Sequence, residues 1–174
     1  GTAIVKSVTL AAVAATLVVG IAFWLAYARA RAGRALGYLS DIVFIVLFAV
    51  PSTIMGIGLI GLWNRPGALG APYGTDVMLL FAYAARFLPV AVLILAGTVR
   101  YVPVSHEEAA AVTGAGWLRT VSRIVVPQIY LGGAATWTIV FVLAFGELGT
   151  SILVAPPGES TLPIRIYTII ANTP

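Results

Sequence analysis

Apolar residues run along the chain in four long stretches, which shorter polar segments separate. The stretches cover residues 7–28, 41–63, 77–99 and 125–145. Each is long enough for a transmembrane helix, because about 20 apolar residues at about 1.5 Å of rise cross the roughly 30 Å core of a bilayer. A fifth apolar stretch begins near Leu162 and has too few residues for a further crossing. The pattern predicts an all-helical, polytopic membrane protein with four full spans and the start of a fifth.

Composition agrees with lipid rather than water as the solvent of this chain. Of its 174 residues, 60% are apolar and 9% are charged, and the mean hydropathy is +1.03. An ordinary soluble domain carries about 25% charged residues. The chain has no cysteine and a single histidine, which excludes a disulfide framework, a cysteine zinc site and thiolate catalysis. We therefore expect no metal site, and a fold that is surrounded by lipid rather than by water.

The polar segments between the spans differ in charge, and the difference predicts the topology. Six of the ten basic residues lie in the first and third connections. These residues are Arg29, Arg31, Arg34, Arg100, Arg119 and Arg123. Because connections rich in lysine and arginine stay in the cytoplasm, both connections are predicted to be cytoplasmic. The turn-rich segments 64–75 and 155–160 are then external loops.

Residues that are unusual in a membrane interrupt two of the spans. Arg86 lies about nine residues into the third span, where a charge facing lipid costs at least about 2.5–3.5 kcal/mol. It should face the bundle or a water-filled path, pair with an acid such as Glu147, or extend its stem to the outer interface. Pro51 predicts a kink in the second span, with Ser52 and Thr53 available to satisfy the freed backbone groups. Pro51, Ser52, Arg86 and Glu147 are our candidates for a translocation path; ordinary helix packing is the alternative for the kink.

The connection formed by residues 102–127 contains the strongest local signals. Ser105 followed three residues later by Glu108 is a capping box, which predicts the start of a helix. Glu107 and Glu108 lie in its first turn, where an acidic side chain gains about 0.3–1 kcal/mol from the positive end of the helix. Three alanines, residues 109–111, follow with high helix propensity and little side-chain bulk. We expect a short helix that another protein could approach closely.

Glycines predict where this short helix ends. Gly114 and Gly116 bracket a break, because glycine tolerates the left-handed conformation that terminates helices. A second short helix is expected from Trp117 to about Ile124, with Pro127 near the opening of the fourth span. Two helices joined by a glycine turn would form a rigid handle for a partner protein. The alternative is a capped connector that only closes the loop.

The combined spacing of this segment resembles a known signature. The matching residues are Glu108, Ala109, Ala110, Gly114, Ile124 and Pro127. They fit the pattern E-A-A-x3-G-x9-I-x-L-P of the cytoplasmic loop in permease subunits of bacterial ABC importers that depend on a solute-binding protein. Val126 stands where that family usually has leucine. Residues 145–150 and 161–167 are similar to permeases for ferric iron, sulfate, thiamine and polyamines, with ferric-iron systems judged closest.

The resemblance implies a type I importer fold and an inner-membrane, multi-pass permease subunit. Residues 1–174 would form one transmembrane domain, part of a longer protein or one of two fused copies. An ATPase dimer, which binds ATP and Mg²⁺, would push the loop, and a second permease subunit would complete the path. A solute-binding protein would dock on the external loops 64–76 and 149–161. The residues implied in ATPase coupling are Glu107, Glu108, Ala109, Ala110, Ala111, Gly114, Ile124 and Pro127.

The chain lacks the residues with which it could use ATP itself. Its only lysine, Lys6, is not preceded by a phosphate-binding loop, so we expect no enzyme activity and an energy supply from another chain. Two other functions stay open. A secondary transporter or channel would place several ionisable groups at mid-membrane, where only Arg86 lies. A membrane scaffold would bind a partner through the loop without transporting a solute.

Overall fold

A computed structural model of the protein describes residues 2–158 and 161–172. The helices are α1 (Thr2–Arg31), α2 (Arg34–Ala49), α3 (Ser52–Trp63), α4 (Asp76–Arg100), α5 (Val104–Val112), α6 (Trp117–Phe145), α7 (Ser151–Val154) and α8 (Leu162–Asn172). A single 3-10 turn, Ala68–Gly70, lies between α3 and α4. The described residues form no strand, which confirms the predicted all-helical fold.

Three long helices, α1, α4 and α6, pack together and form the core of the bundle. On α1, small residues recur every three or four positions and have an exposed fraction of at most 1%. They are Ala11, Ala14, Ala15, Val18, Ala22 and Ala26. Because apolar side chains gain little by leaving lipid, close approach through such small residues is how membrane helices gain packing energy. The three helices are each long and apolar enough to cross a membrane, and α2 with α3 would make a fourth span.

The second predicted span is not one helix. It begins at Arg34 rather than at residue 41, and it is divided into α2 and α3, which meet at an angle of 92°. Val50 between them is extended, with φ −60° and ψ 126°, as expected for the residue before a proline. Pro51 has no N–H to continue the helix. The sequence therefore predicted where the helix is disturbed, but the helix is broken at Pro51 rather than kinked.

The fourth predicted span begins earlier than expected. The short second helix predicted from Trp117 to Ile124 is not separate; it is the first part of α6, which runs on to Phe145. A π-helical turn over Val121–Val125 joins the two parts, and the N–H of Val126 bonds to the carbonyl of Val121 five residues back. The wider turn immediately precedes Pro127, whose ring would clash with the carbonyl four residues earlier in a regular helix.

Polar contacts at the two ends of the bundle agree with the topology predicted from charge. At one end, Lys6 Nζ lies 2.7 Å from the Asp76 carboxylate, so the N-terminal ends of α1 and α4 are neighbours. At the other end, Arg29 Nε donates to Asp41 at 2.8 Å, joining α1 to α2. Arg29 and the connection that contains α5 lie at this second end, the side predicted to be cytoplasmic. The segment 155–160, predicted to be an external loop, includes residues 159 and 160, which lie outside the described residues.

Candidate functional site

The helix α5 begins without the predicted capping box. It starts at Val104, and Pro103 is the residue before its first turn, with no side-chain cap. The N–H of His106 bonds to the Pro103 carbonyl at 3.1 Å, so the first turn closes on the backbone alone. Ser105 and Glu108 are exposed. The prediction that these two side chains cap the helix was wrong, and the helix starts two residues earlier than a Ser105 cap would place it.

The predicted glycine turn after α5 is present. Gly114 has φ +80°, a left-handed conformation that favours glycine. The N–H of Gly114 bonds to the Ala111 carbonyl at 2.9 Å, and the N–H of Ala115 bonds to the Ala110 carbonyl at 3.1 Å. These two bonds form a Schellman motif, which satisfies the last carbonyls of a helix. The short helix therefore has a rigid, well-defined end.

The faces of α5 differ in exposure. Glu108, Ala109 and Ala111 are exposed, whereas Ala110 is only 9% exposed and faces the rest of the chain. The predicted contact face of three alanines therefore holds two of them. Val112, at the end of the helix, is 89% exposed. Val112 thus adds an apolar side chain to the exposed alanines of this helix.

A groove separates α5 from the start of α6. Its volume is about 580 Å³. The side chains that line it include His106, Ala109, Thr113, Arg119, Arg123 and Ile124. Ile124, expected in the second short helix, is thus half-buried beside α5, and Pro127 lies exposed one turn further along α6. Of the signature residues, Ala109, Ala110, Gly114 and Ile124 line this groove, whereas Glu108 and Pro127 lie outside its lining.

Glu107, predicted as a coupling residue, is bound to its own chain. Arg31 Nε donates to Glu107 Oε1 at 2.8 Å, and Arg31 Nη2 donates to the same oxygen and to the Val102 carbonyl, the latter at 3.1 Å. The Tyr27 hydroxyl donates to Glu107 Oε2. The side chains of Arg31 and Glu107 are 18% and 14% exposed. Sequence reasoning missed this cluster, because a separation of 76 residues leaves no local pattern.

Aromatic rings surround the same cluster. The ring of Trp117, at the start of α6, lies 5.7 Å from that of Trp24 and 5.9 Å from that of Tyr27. The Arg31 guanidinium lies 5.7 Å from the centre of the Tyr27 ring, within the range of a cation–π interaction. The C-terminal end of α1 therefore contacts both α5 and the beginning of α6.

The break between α2 and α3 is held by Arg86. Its Nη1 donates to the Phe48 carbonyl at 3.0 Å and to the Val50 carbonyl, and its guanidinium lies 5.3 Å from the centre of the Phe48 ring. These carbonyls belong to the end of α2, where a helix leaves carbonyls without an intrahelical partner. Of the three positions that the sequence allowed for Arg86, the structure shows the one that faces the bundle. Its hydrogen bonds in the described residues are with carbonyls rather than with an acid.

The opposite side of the break is held by the segment that follows α6. The Thr150 hydroxyl donates to the Ser52 carbonyl at 3.1 Å, and Glu147 Oε1 accepts from the Thr150 N–H at 2.8 Å. Gly149 lies so close that a Cβ atom there would overlap with Ser52 Oγ. Arg86 therefore serves the freed carbonyls at the end of α2, and Thr150 ties the start of α3 to the segment after α6. In the described residues the Ser52 and Thr53 side chains do not serve these groups as expected.

The four path candidates consequently meet around one feature. Pro51 forms the break, Ser52 begins α3, Arg86 binds the end of α2, and Glu147 orders the segment beside Ser52. Pro51 is exposed, and the other three are partly buried. A solute contact at any of them stays a prediction.

Comparisons with known proteins agree with the signature. The sequence profile of the family described as "Binding-protein-dependent transport system inner membrane component" matches residues 18–173. The chain is 34% identical over 167 residues to ORF1 of Streptomyces antibioticus, named as an ABC transporter permease protein. This match covers 94% of the chain and 69% of ORF1.

Two relatives from Escherichia coli are named by solute. The spermidine/putrescine transport system permease protein PotC is 28% identical over 133 residues, which are 76% of the chain and 48% of PotC. The putrescine transport system permease protein PotI is 27% identical over 168 residues, which are 94% of the chain and 59% of PotI. The chain therefore spans about half the length of PotC and somewhat more of PotI.

Proposed function

Because this chain belongs to the family of binding-protein-dependent transport system inner membrane components, we propose that its α5 loop is where an ATPase subunit drives solute import. The family and the apolar helices make it a multi-pass protein of the inner membrane and a permease of the ABC importer class. What we propose beyond the family assignment is that the ATPase acts on this protein through α5.

The observation that carries the proposal is the construction of α5. A helix that ends in a Schellman motif has a fixed C-terminal end, since its terminal carbonyls are already bonded. Its exposed side bears Glu108, Ala109, Ala111 and Val112, which combine small side chains with one large apolar one. A partner groove could therefore enclose this helix closely and bury the Val112 side chain.

We propose that the break between α2 and α3 borders the translocation path. Discontinuous helices occur in transporters where irregular backbone faces a cavity rather than lipid. The partly buried Glu147 and Arg86 on either side of the break would give such a path polar walls. A second permease subunit would supply the other wall, and a solute-binding protein would deliver the solute at the outer end of the bundle.

For the solute, we propose polyamines ahead of ferric iron. The names of PotC and PotI refer to spermidine and putrescine. The sequence-based choice of ferric iron finds no support in these relatives. The preference for polyamines can be tested by measuring ATP-dependent uptake of radiolabelled putrescine, spermidine and ferric iron by proteoliposomes. Each solute is supplied with its own binding protein. Uptake of ferric iron without polyamine uptake would reverse the preference.

Two glycines of one loop provide the test of ATPase docking. Gly114 has φ +80°, so Gly114→Val forces a β-branched residue into a strained conformation, whereas Gly116 has φ −68° and open space around it. We expect Gly114→Val to reduce co-purification of the ATPase and ATP-driven uptake at least tenfold. The matched variant Gly116→Val should keep both within about twofold.

The result distinguishes the proposal from the two other functions. Uptake that continues without ATPase and ATP would indicate a secondary transporter or channel. ATPase binding without any uptake, in the presence of binding protein and solute, would indicate a scaffold. If Gly114→Val and Gly116→Val gave equal co-purification of the ATPase and equal uptake, docking through α5 would be contradicted.

A further inference from the structure

Side-chain contacts attach the α5 loop to α1, a helix to which the loop is not joined in sequence. The backbone links α5 to α4 through residues 101–103 and to α6 through residues 113–116. Yet the bonds of Glu107 lead to Arg31 and Tyr27, both on the last turns of α1. The loop is therefore connected to three helices of the bundle: to α4 and α6 through the backbone, and to α1 through side chains.

Both oxygens of the Glu107 carboxylate are used in this attachment. Oε1 accepts from Arg31 Nε and Nη2, and Oε2 accepts from the Tyr27 hydroxyl. Arg31 also donates to the carbonyl of Val102, the residue at which α4 passes into the loop. Both guanidinium donors thus converge on one carboxylate oxygen and the Tyr27 hydroxyl binds the other, so the carboxylate is held from two residues of α1. The low exposure of the Arg31 and Glu107 side chains reduces screening by water.

A second attachment lies at the other end of the loop. Trp117, the first residue of α6, packs against the rings of Trp24 and Tyr27. Tyr27 is therefore shared, because its ring contacts Trp117 and its hydroxyl binds Glu107. The end of α1 holds the loop at its entry and at its exit, so α5 and α1 have little freedom to move separately.

We propose that Glu107 is a positioning residue that locks α5 to the end of α1, so that a displacement of α5 passes into α1. This inference rests on the proposed function of α5 as the ATPase contact. Glu108, the adjacent glutamate, is exposed and belongs to the surface offered to the partner. The two neighbouring acids thus have different tasks: Glu107 binds inward to α1, and Glu108 faces outward.

The attachment can be measured without any transport. The full-length protein in lipid nanodiscs is labelled with spin probes at Ala28→Cys on α1 and Ala111→Cys on α5, two exposed positions of a cysteine-free chain. We expect one narrow distance distribution. Glu107→Gln should broaden it at least twofold, Tyr27→Phe should broaden it less, and Glu108→Gln should leave it unchanged. An unchanged width in Glu107→Gln would overturn the proposal.

A second measurement tests whether the attachment carries motion. In the assembled transporter, Glu107→Gln should raise the number of ATP molecules hydrolysed per solute imported at least fivefold, while the ATPase still co-purifies. The charge-reversed pair Arg31→Glu with Glu107→Arg should recover most of the coupling, because the ion pair is restored. A ratio that does not rise in Glu107→Gln would contradict the positioning role.

The two measurements separate this inference from the proposed function. If the distance distribution broadens but no ATPase binds α5 in the parent protein, then the attachment stands and docking through α5 fails. If the ATPase binds and the distribution does not broaden, then docking stands and the positioning role of Glu107 fails.

Discussion

Two prolines in the membrane segments have different effects on their helices: Pro51 follows a long apolar run, and Pro127 stands at the start of one. The chain breaks at Pro51 into two helices that meet at 92°, whereas α6 continues through Pro127 as one helix. In α6, the π-helical turn Val121–Val125 lies directly before the proline. Gln128 Nε2 also donates to the Ile124 carbonyl at 2.9 Å, so a local side chain serves a carbonyl beside the proline.

The break at Pro51 differs because residues from distant parts of the chain bind backbone carbonyls beside it. Arg86 on α4 donates to two carbonyls at the end of α2, and Thr150 donates to the Ser52 carbonyl. A carbonyl without a partner costs several kcal/mol in lipid, so a broken helix persists only where such donors exist. The comparison teaches that a proline marks a weak point, and that residues elsewhere in the chain decide whether the helix breaks there.

The largest effect should come from removing the donor on α4. Arg86→Met keeps much of the side-chain length but leaves the Phe48 and Val50 carbonyls without this partner. Because hydrogen bonds to charged groups contribute about 1.5–3 kcal/mol, we expect the free energy of unfolding to fall by about 2–3 kcal/mol. Denaturant unfolding in detergent micelles measures this change.

The control for this change is Arg65→Met. Arg65 is exposed, and its Nε donates to the Gly61 carbonyl of its own helix end at 3.4 Å. Its replacement should alter the unfolding free energy by less than about 0.5 kcal/mol. Equal losses in the two variants would show that Arg86 does not hold the break.

A smaller effect is expected on the other side of the break. In Gly149→Ala, the new methyl group would overlap with Ser52 Oγ and push α3 away from the segment before α7. Overpacking of this kind costs about 1–3 kcal/mol. Gly58→Ala is the matched control, because its methyl group would meet open space and add helix propensity.

A second-site change sharpens the test of Gly149. Replacing Ser52 by glycine removes the atoms that the new methyl group would meet, so Ser52→Gly with Gly149→Ala should unfold at higher denaturant than Gly149→Ala alone. A double variant that is less stable than either single variant would contradict close packing at this point.

The smallest effect is expected from the proline itself. In Pro51→Ala, Arg86 and Thr150 still bind their carbonyls, so the bend between α2 and α3 should persist and the unfolding free energy should change by less than about 1 kcal/mol. Spin labels at the exposed positions Leu39 and Leu62 report the bend. The distance should lengthen only when Arg86→Met is added, and straightening in Pro51→Ala alone would contradict the account.

Sequence alone predicted the elements that depend on local pattern. The apolar stretches corresponding to α1 and α4, the short helix α5 and the left-handed turn at Gly114 follow from composition, propensity and glycine conformation. The arginine counts also placed the first and third connections at one end of the bundle, and the cytoplasmic location of that end stays a prediction. Each of these features is determined within a few turns of chain, which is the range that such patterns describe.

The contacts that define the candidate site could not be predicted in this way. Arg86 lies 36 residues from the Val50 carbonyl that it binds, and Glu107 lies 76 residues from Arg31. The charge of Arg86 indicated that it needed a partner, but several partners were equally compatible with its depth. The capping box at Ser105 failed because the Pro103 carbonyl already closed the first turn.

The central claim, that an ATPase docks on the outer face of α5, is tested most directly by cross-linking two neighbouring positions. Ala111 is exposed and Ala110 is 9% exposed, so single cysteines at these positions in the cysteine-free chain face outward and inward. Each variant is expressed with the ATPase carrying cysteines along its candidate groove, and the membranes are oxidised. We predict a cross-linked band with Ala111→Cys that is absent with Ala110→Cys. Equal bands, or none from correctly inserted Ala111→Cys protein, would contradict the account.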